Sequence, residues 1–317
     1  MGRIPKKQML DLTKSFTFQG DASQLLDQIP NNSVDLILTS PPYNIGKAYE
    51  RGMFTSLDDY TRWMDKLVAK LVKKLKPTGS ICWQVGNHVD DGSITPLDYL
   101  FYPMFAKRGW HLRNRIIWRF NFGLHAQRRF SGRYETLLWF TRQADYKFNL
   151  DPVRVPQLYP GKRHAASKGD RAGKPSGNPL GKNPSDLWDF EPERAFITEP
   201  VWNIPNVKAN HPEKTEHPCQ FPSELADRCI LAMTDDGDVI LDPFVGTGTA
   251  MICAEGRSRI GIGFELDANH AIAANERLER FKRGDLQLRW SGSPPIAPNT
   301  ADKVARIPDE WLLDAAE

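Results

Sequence analysis

The sequence predicts an α/β fold: a doubly wound, mostly parallel sheet interrupted by one long insertion. An apolar run at Val34–Leu38, an amphipathic stretch beginning at Leu57 and a second apolar run at Ser80–Val85 give the βαβ rhythm of a parallel sheet. A comparable unit begins at Val239, where a short strand, a glycine-rich turn, a helix-compatible stretch and another strand follow in order. Between the two units the periodicity disappears from about Gln157 to Lys214.

The first unit is preceded by a basic, irregular N-terminus as far as Lys14. Phe16–Gln19 then reads as a strand, with Gly20-Asp21 as the turn that places Asp21 at its end. Leu25 and Leu26 suggest a brief helix, and Pro30–Ser33 a turn into Val34–Leu38. Tyr60, Met64, Leu67, Leu71 and Leu75 recur at steps of three and four, predicting a helix that Pro77 and Gly79 end. Arg115–Trp118 and Glu135–Phe140 read as two further strands, and the basic stretch Asn121–Arg133 between them is too long for a tight hairpin. Regularity returns at Pro222, where Leu225, Cys229, Ile230 and Met233 line one side of a helix. Asp236-Gly237 turns the chain into Val239–Asp242, Ala250–Glu255 is helix-compatible, and Ser258–Phe264 is a strand ending at Glu265. Beyond residue 290, Ser-Pro-Pro reads as linker and Trp311-Leu312-Leu313 as a short docking helix.

The net charge of +3 would not by itself suggest nucleic acid, but its distribution does. Lys107, Arg108, Arg113, Arg115, Arg119, Arg128, Arg129 and Arg133 fall in one run without an Asp or Glu, interleaved with Trp110, Trp118, Phe120, Phe122 and Phe130. Gln157–Ser185 adds Lys162, Arg163, Lys168, Arg171, Lys174 and Lys182 against one acidic residue. The pattern predicts a phosphate-tracking surface, with the insertion ordering on its target rather than serving as a plain linker. The four cysteines, Cys82, Cys219, Cys229 and Cys253, show no CxxC pair, so they read as reduced thiols with no metal site. No run approaches the roughly 18–20 apolar residues of a membrane span, and no targeting segment stands out. A cytoplasmic protein is expected.

Two loops carry the chemistry. Ser40-Pro41-Pro42-Tyr43 follows the apolar run directly, and its two prolines fix the backbone and remove N–H donors. What remains is a stiff, acceptor-rich loop with the Ser40 hydroxyl, main-chain carbonyls and the flat face of Tyr43, suited to an amino group on a planar ring. The second loop is Asp242-Pro243-Phe244-Val245-Gly246-Thr247-Gly248-Thr249. It lacks the lysine of a P-loop, and Met251 stands where a dinucleotide fingerprint needs Gly or Ala. Glu265, at the end of the next strand, is placed to accept from ribose hydroxyls. An acid opening the glycine loop suits an amino group better than a phosphate. Ribose, no phosphate and a charged amine together describe S-adenosylmethionine (AdoMet).

With these motifs the chain resembles the permuted β group of DNA amino-methyltransferases, in which the Pro-Pro motif precedes the target recognition region and the AdoMet loop comes last. The resemblance covers roughly residues 15–285 and implies a Rossmann-like, AdoMet-dependent methyltransferase fold. It divides the chain into a catalytic half (1–150), a recognition insertion (151–215), an AdoMet-binding half (216–290) and a C-terminal linker with a short helix (291–317). It implies that Ser40 and the Pro41 carbonyl bind the target amine, with Pro42 stiffening the loop and Tyr43 stacking on a flipped base. Asp242, Pro243, Phe244, Gly246, Thr247, Gly248 and Thr249 would hold the methionine end of AdoMet, Glu265 the ribose and Asp21 the adenine. His217, in the segment His217–Pro222, would close over the methionine end, although Gln220 stands where many relatives have lysine. Arg128, Arg129, Arg133, Lys162, Arg163, Lys168, Arg171, Lys174 and Lys182 are the expected contacts to double-stranded DNA.

Pro218-Cys219-Gln220 matches the tripeptide around the nucleophilic cysteine of cytosine carbon-5 enzymes, but here it precedes the AdoMet loop, and Ser-Pro-Pro-Tyr would then have no purpose. The expected target is adenine N6, on Tyr43-Asn44, with cytosine N4 kept open by Ser40. A catalytically inactive DNA-binding regulator, or an RNA or protein-glutamine methyltransferase, are the other readings. The resemblance further implies a homodimer, association with the nucleoid, and a cognate restriction endonuclease or none.

Overall fold

The computed structural model describes residues 9–44, 54, 56–120, 126–157, 162–165, 169–188, 220–286 and 288–290. In chain order the elements are β1 (Phe16–Gln19), α1 (Ala22–Leu26), β2 (Val34–Thr39), α2 (Leu57–Leu71), β3 (Leu75–Val85), the hairpin β4 (Asn87–Asp90) and β5 (Ser93–Pro96), α3 (Leu97–Ala106), β6 (His111–Arg119) and β7 (Tyr134–Thr141). They continue with β8 (Leu187–Trp188), α4 (Ser223–Met233), β9 (Val239–Asp242), α5 (Thr249–Gly256), β10 (Ile260–Glu265) and α6 (Ala268–Lys282).

Eight strands form one sheet in the order β1-β10-β9-β2-β3-β7-β6-β8. The first five are mutually parallel, β7 is antiparallel to both β3 and β6, and β8 runs parallel to β6. β2 is buried along its whole length, as expected of a strand covered on both faces. Its alternate side chains feed two cores. Ile37 belongs to the core that holds Leu67, Trp83 and Phe101, whereas Leu36 and Leu38 belong to the core that holds Leu225, Cys229 and Ile230 of α4. The doubly wound α/β prediction is therefore met, with α2 and α3 over one face and α4 and α5 over the other.

The topology explains how a permuted chain builds one site. β9 starts the path that runs outward through β10 to β1, β2 starts the path through β3, and the two are neighbours, with Leu36 opposite Ile240 and Ile37 opposite Leu241. Loops leaving the C-terminal ends of two such strands open a crevice, the usual place for a ligand in an open α/β sheet.

One expected boundary is corrected. Leu75 fits the helical spacing, but α2 ends at Leu71, Val72–Lys74 turn, and Leu75 opens β3 opposite Val34. Pro77 and Gly79 lie within β3, where the register with β2 slips between Val34 and Leu36. A proline without an N–H is accommodated at such an irregularity. Lys76, in the same slip, binds both oxygens of the buried Asp35 at 2.9 and 2.7 Å. The insertion also contributes to the sheet: Leu187 and Trp188 pair with Ile117 and Trp118, and Trp188 lies under the Arg228 guanidinium at 4.6 Å.

Candidate active site

The Ser40–Tyr43 loop is anchored from below. Tyr60 of α2, fully buried, donates its hydroxyl to the Pro42 carbonyl at 2.7 Å. Pro41 is buried, while Ser40, Pro42 and Tyr43 are half-buried and so within reach of a ligand. The Tyr43 hydroxyl lies 3.1 Å from Ser40 Oγ and donates to Glu135 Oε2 of β7 at 3.2 Å. Gln84, at the end of β3, donates its amide to the same Glu135 oxygen. Neither Gln84 nor Glu135 stood out in the sequence, since both read as ordinary strand residues.

The glycine loop follows β9. Gly246 and Gly248 take positive φ values of 51° and 80°, conformations that side chains resist. Gly248 is the N-cap of α5, and a Cβ there would stand 3.2 Å from the Ala274 side chain. Pro243, Val245, Thr247 and Thr249 are buried, and Phe244 is half-buried against Trp63 at 5.9 Å between rings.

Asp242 joins the two loops. Thr39, the residue before Ser40, donates its hydroxyl to Asp242 Oδ1 at 2.6 Å, and the Phe244 amide donates to the same oxygen at 3.0 Å. The other oxygen, Oδ2, is buried with no hydrogen-bond partner among the described residues. Burial pushes the Asp242 carboxyl up to about 7, partly offset by Thr39 and the Phe244 amide, with nearby Glu265 adding repulsion. A buried carboxylate oxygen left unpaired is costly until a cation reaches it.

Glu265 closes the crevice from β10. Its carboxylate accepts from the Gly246 amide and the Asp267 amide, both at 3.0 Å, and burial raises its pKa. Each oxygen keeps a further lone pair for a ligand hydroxyl. Asp21 sits beside it, because β1 pairs with β10 and the Gly20 amide donates to the Glu265 carbonyl at 2.8 Å. Asp21 also caps α1 through the Gln24 amide at 3.1 Å. Ser40, Tyr43, Asp242, Gly246, Gly248, Glu265 and Asp21 thus lie along the ends of four adjacent strands, in the order β1, β10, β9, β2.

The family model described as DNA methylase, N6_N4_Mtase, matches residues 34–276, more than half of the chain. The chain belongs to this family. Type II methyltransferase M.BglII of Bacillus subtilis is 44% identical over 262 residues, covering 82% of this chain and 68% of the relative. Type II methyltransferase M.ScaI of Streptomyces caespitosus is 34% identical over 266 residues, covering 83% and 80%. Among solved structures, the PvuII DNA methyltransferase, named as cytosine-N4-specific, superposes with a TM-score of 0.61 at 21% identity, covering 86% of this chain and 92% of that one, a likeness of fold. This DNA methylase is a β-group amino-methyltransferase: it transfers methyl from AdoMet to an exocyclic amine in DNA. No helix among the described residues is long and apolar enough to cross a membrane.

The expected DNA contacts of this methylase fall into two groups. Arg128 and Arg129 are exposed and immediately precede a fully exposed Phe130, and Arg133 is half-buried near the start of β7. In the insertion Lys162, Arg163, Arg171 and Lys174 are exposed and Lys182 is half-buried. His217 and Lys168 lie outside the described residues, as do Asn121–His125, Pro218-Cys219 and the segment from Ser291.

The first half of the basic run has partners within the fold. Lys107 and Arg108 both bind Asp65, at 2.8 and 2.7 Å, holding its carboxyl down at about 2. Arg113 donates to Thr141 Oγ1 and to the Gln143 carbonyl, and Arg115 pairs with Asp98 at 2.6 Å. These cations tie β6 and α3 to their neighbours.

Proposed function

We propose that this methylase is site-specific for duplex DNA, with Ser40 and the Pro41 carbonyl as acceptors for the two N–H bonds of a flipped base and Tyr43 as its stacking platform. The observation that carries this assignment is the Thr39–Asp242 bond at 2.6 Å, which sets the acceptor loop directly beside a buried, half-satisfied carboxylate. Asp242 Oδ2 fits the ammonium of AdoMet, and Glu265 fits its ribose. Gly246, Thr247, Gly248 and Thr249 shape the turn around the methionine end, Pro243 and Phe244 wall it, and Asp21 is the partner of the adenine. His217 is proposed to close this end.

Bound AdoMet supplies an electrophilic methyl on a sulfonium. An exocyclic amine conjugated to its ring is a poor nucleophile, and accepting both its N–H bonds turns the nitrogen lone pair out of conjugation and toward that methyl. As the N–C bond forms the S–C bond breaks, and the amine's surplus proton leaves to water. The residues act by placement and preorganised dipoles. Extruding the base costs a few kcal/mol, and stacking on Tyr43 returns about 1–3 kcal/mol.

Adenine N6 is the first reading of the target, on Tyr43-Asn44. Cytosine N4 is the second, favoured by serine as the first residue of the motif. Arg128, Arg129, Arg133, Lys162, Arg163, Lys168, Arg171, Lys174 and Lys182 are the proposed backbone contacts. A cytoplasmic, nucleoid-associated homodimer with a cognate restriction endonuclease, or none, completes the proposal. Transfer from tritiated AdoMet to duplex DNA, with RNA as competitor, tests the substrate class; no label on DNA, or preference for RNA, defeats it. Long-read sequencing of a methylation-free host expressing the chain then reads out base and recognition sequence together.

A further inference from the structure

We propose that Glu135 is a positioning residue that sets the direction of the Ser40 hydroxyl proton, so that Ser40 Oγ meets the target amine as an acceptor. This rests on the assignment of Ser40 to that amine. A serine hydroxyl is ambiguous in a way that a carboxylate or amide oxygen is not: it rotates, and carries one donor and two lone pairs. With its proton turned into the crevice it would donate to the amine nitrogen and occupy the lone pair that has to attack.

The contacts remove this ambiguity. Glu135 Oε2 takes the amide of Gln84, which is buried, and lies 3.2 Å from the Tyr43 hydroxyl; that hydroxyl lies 3.1 Å from Ser40 Oγ. A carboxylate has no proton to give, and Tyr43 has one. The Tyr43 proton therefore points to Glu135, the Tyr43 oxygen is left to accept, and the Ser40 proton fills that place. The Ser40 lone pairs are what remain for the substrate. The strands make the relay stiff: Gln84 pairs with Leu137, and Glu135 with Trp118. Gly86 leaves it room, since a Cβ there would stand 3.0 Å from Tyr43 Cε2 and 3.3 Å from Glu135 Oε1. Glu135 touches no reacting atom and acts through Tyr43 and Ser40.

The test uses the full chain, duplex DNA and tritiated AdoMet, and separates kcat from KM. Tyr43→Phe keeps the stacking ring and removes the relay, and Glu135→Leu removes its terminus. Each is expected to lower kcat about tenfold or more while KM for DNA and Kd for AdoMet stay within about threefold, and the double variant is no worse than the weaker single. In a Ser40→Asn background, where the acceptor is a carbonyl that needs no orienting, Tyr43→Phe should cost less than about threefold. Undiminished kcat in Tyr43→Phe, or an equal loss in both backgrounds, overturns the relay. Should Ser40→Asn itself be inactive, the double variant decides, and additive losses overturn the relay. Full activity in Ser40→Ala would instead sink the underlying assignment of Ser40 to the amine, a result distinct from failure of Glu135 alone.

Discussion

The loops leaving β2 and β9 meet at the Thr39–Asp242 bond, yet they await their ligands in opposite conditions. Around Ser40 the hydroxyls and the Pro42 carbonyl are satisfied, by Tyr60 on that carbonyl and by Glu135 beneath Tyr43, although Oε1 of the neighbouring Gln84 is buried without a hydrogen-bond partner among the described residues. At Asp242 the charged group itself is not: one carboxylate oxygen is bonded twice and the other, equally buried, is bonded to nothing among the described residues. On the proposed assignment, the cofactor side therefore holds an unfavourable electrostatic state that a cation would relieve, whereas the substrate side is largely preformed. Binding energy for AdoMet should be concentrated in one residue, and the substrate side should express its losses in turnover.

The sharpest separation comes from removing Asp242. Asp242→Asn is expected to weaken AdoMet binding by about 100-fold or more by calorimetry, as a buried cation loses its counter-charge. The same change should raise the melting temperature of the ligand-free protein at pH 8. The sign follows from the raised pKa: a folded-state carboxyl at about 7, against an ordinary value of 3.8, stabilises the fold only while protonated, and that contribution is lost as pH rises between the two. At pH 8 the wild type carries the whole penalty and the amide carries none. A fall in melting temperature at pH 8 would show that Asp242 is not strained in the free protein.

On the substrate side, Tyr43→Ala removes both the stacking ring and the hydroxyl and should lower kcat on duplex DNA by about 100-fold, more than Tyr43→Phe, with AdoMet affinity within about twofold of wild type. Near-wild-type turnover would remove Tyr43 from the base pocket. A loss of cofactor binding equal to that in Asp242→Asn would erase the distinction between the loops.

A third test acts on the cofactor side alone. Because burial raises the Asp242 carboxyl to about 7 and the proposed pairing with the AdoMet ammonium requires it ionised, affinity should fall about tenfold between pH 8 and pH 6, relative to the same titration of Asp242→Asn. Parallel pH profiles in the two proteins would assign the titration elsewhere.

The contrast also explains what the sequence disclosed. Strand, glycine loop and strand-end acid are local patterns, so Asp242, Gly246, Gly248 and Glu265 were legible from spacing, as was the Pro-Pro loop. Contacts across the sheet were not. Thr39 reaches Asp242 over a separation of 203 residues, and Glu135 reaches Tyr43 over 92, distances that only the β9-β2-β3-β7 strand order closes. Leu75 misled for a related reason, since its helical spacing was overruled by pairing with Val34. The basic run shows the same limit, because the partners Asp65, Asp98 and Thr141 lie outside it and charge counting cannot see them.

That last point yields the smallest expected effect and a direct check on which cations face DNA. Arg115 is half-exposed yet bound to Asp98 at 2.6 Å, whereas Arg128 and Arg129 are exposed on the loop between β6 and β7. Each phosphate neutralised releases condensed counterions, contributing a slope of about 0.9 to the dependence of log affinity on log salt for B-form DNA. Arg128→Ala with Arg129→Ala should therefore reduce that slope by about 2, with a few-fold loss of affinity near 0.1 M salt. Arg115→Ala should leave the slope unchanged, because its charge is already spent on a carboxylate within the fold. Fluorescence anisotropy across a salt series measures both. If Arg115→Ala lowers the slope as much as either loop arginine, the ion pair with Asp98 opens on DNA, and the first half of the basic run tracks phosphate after all.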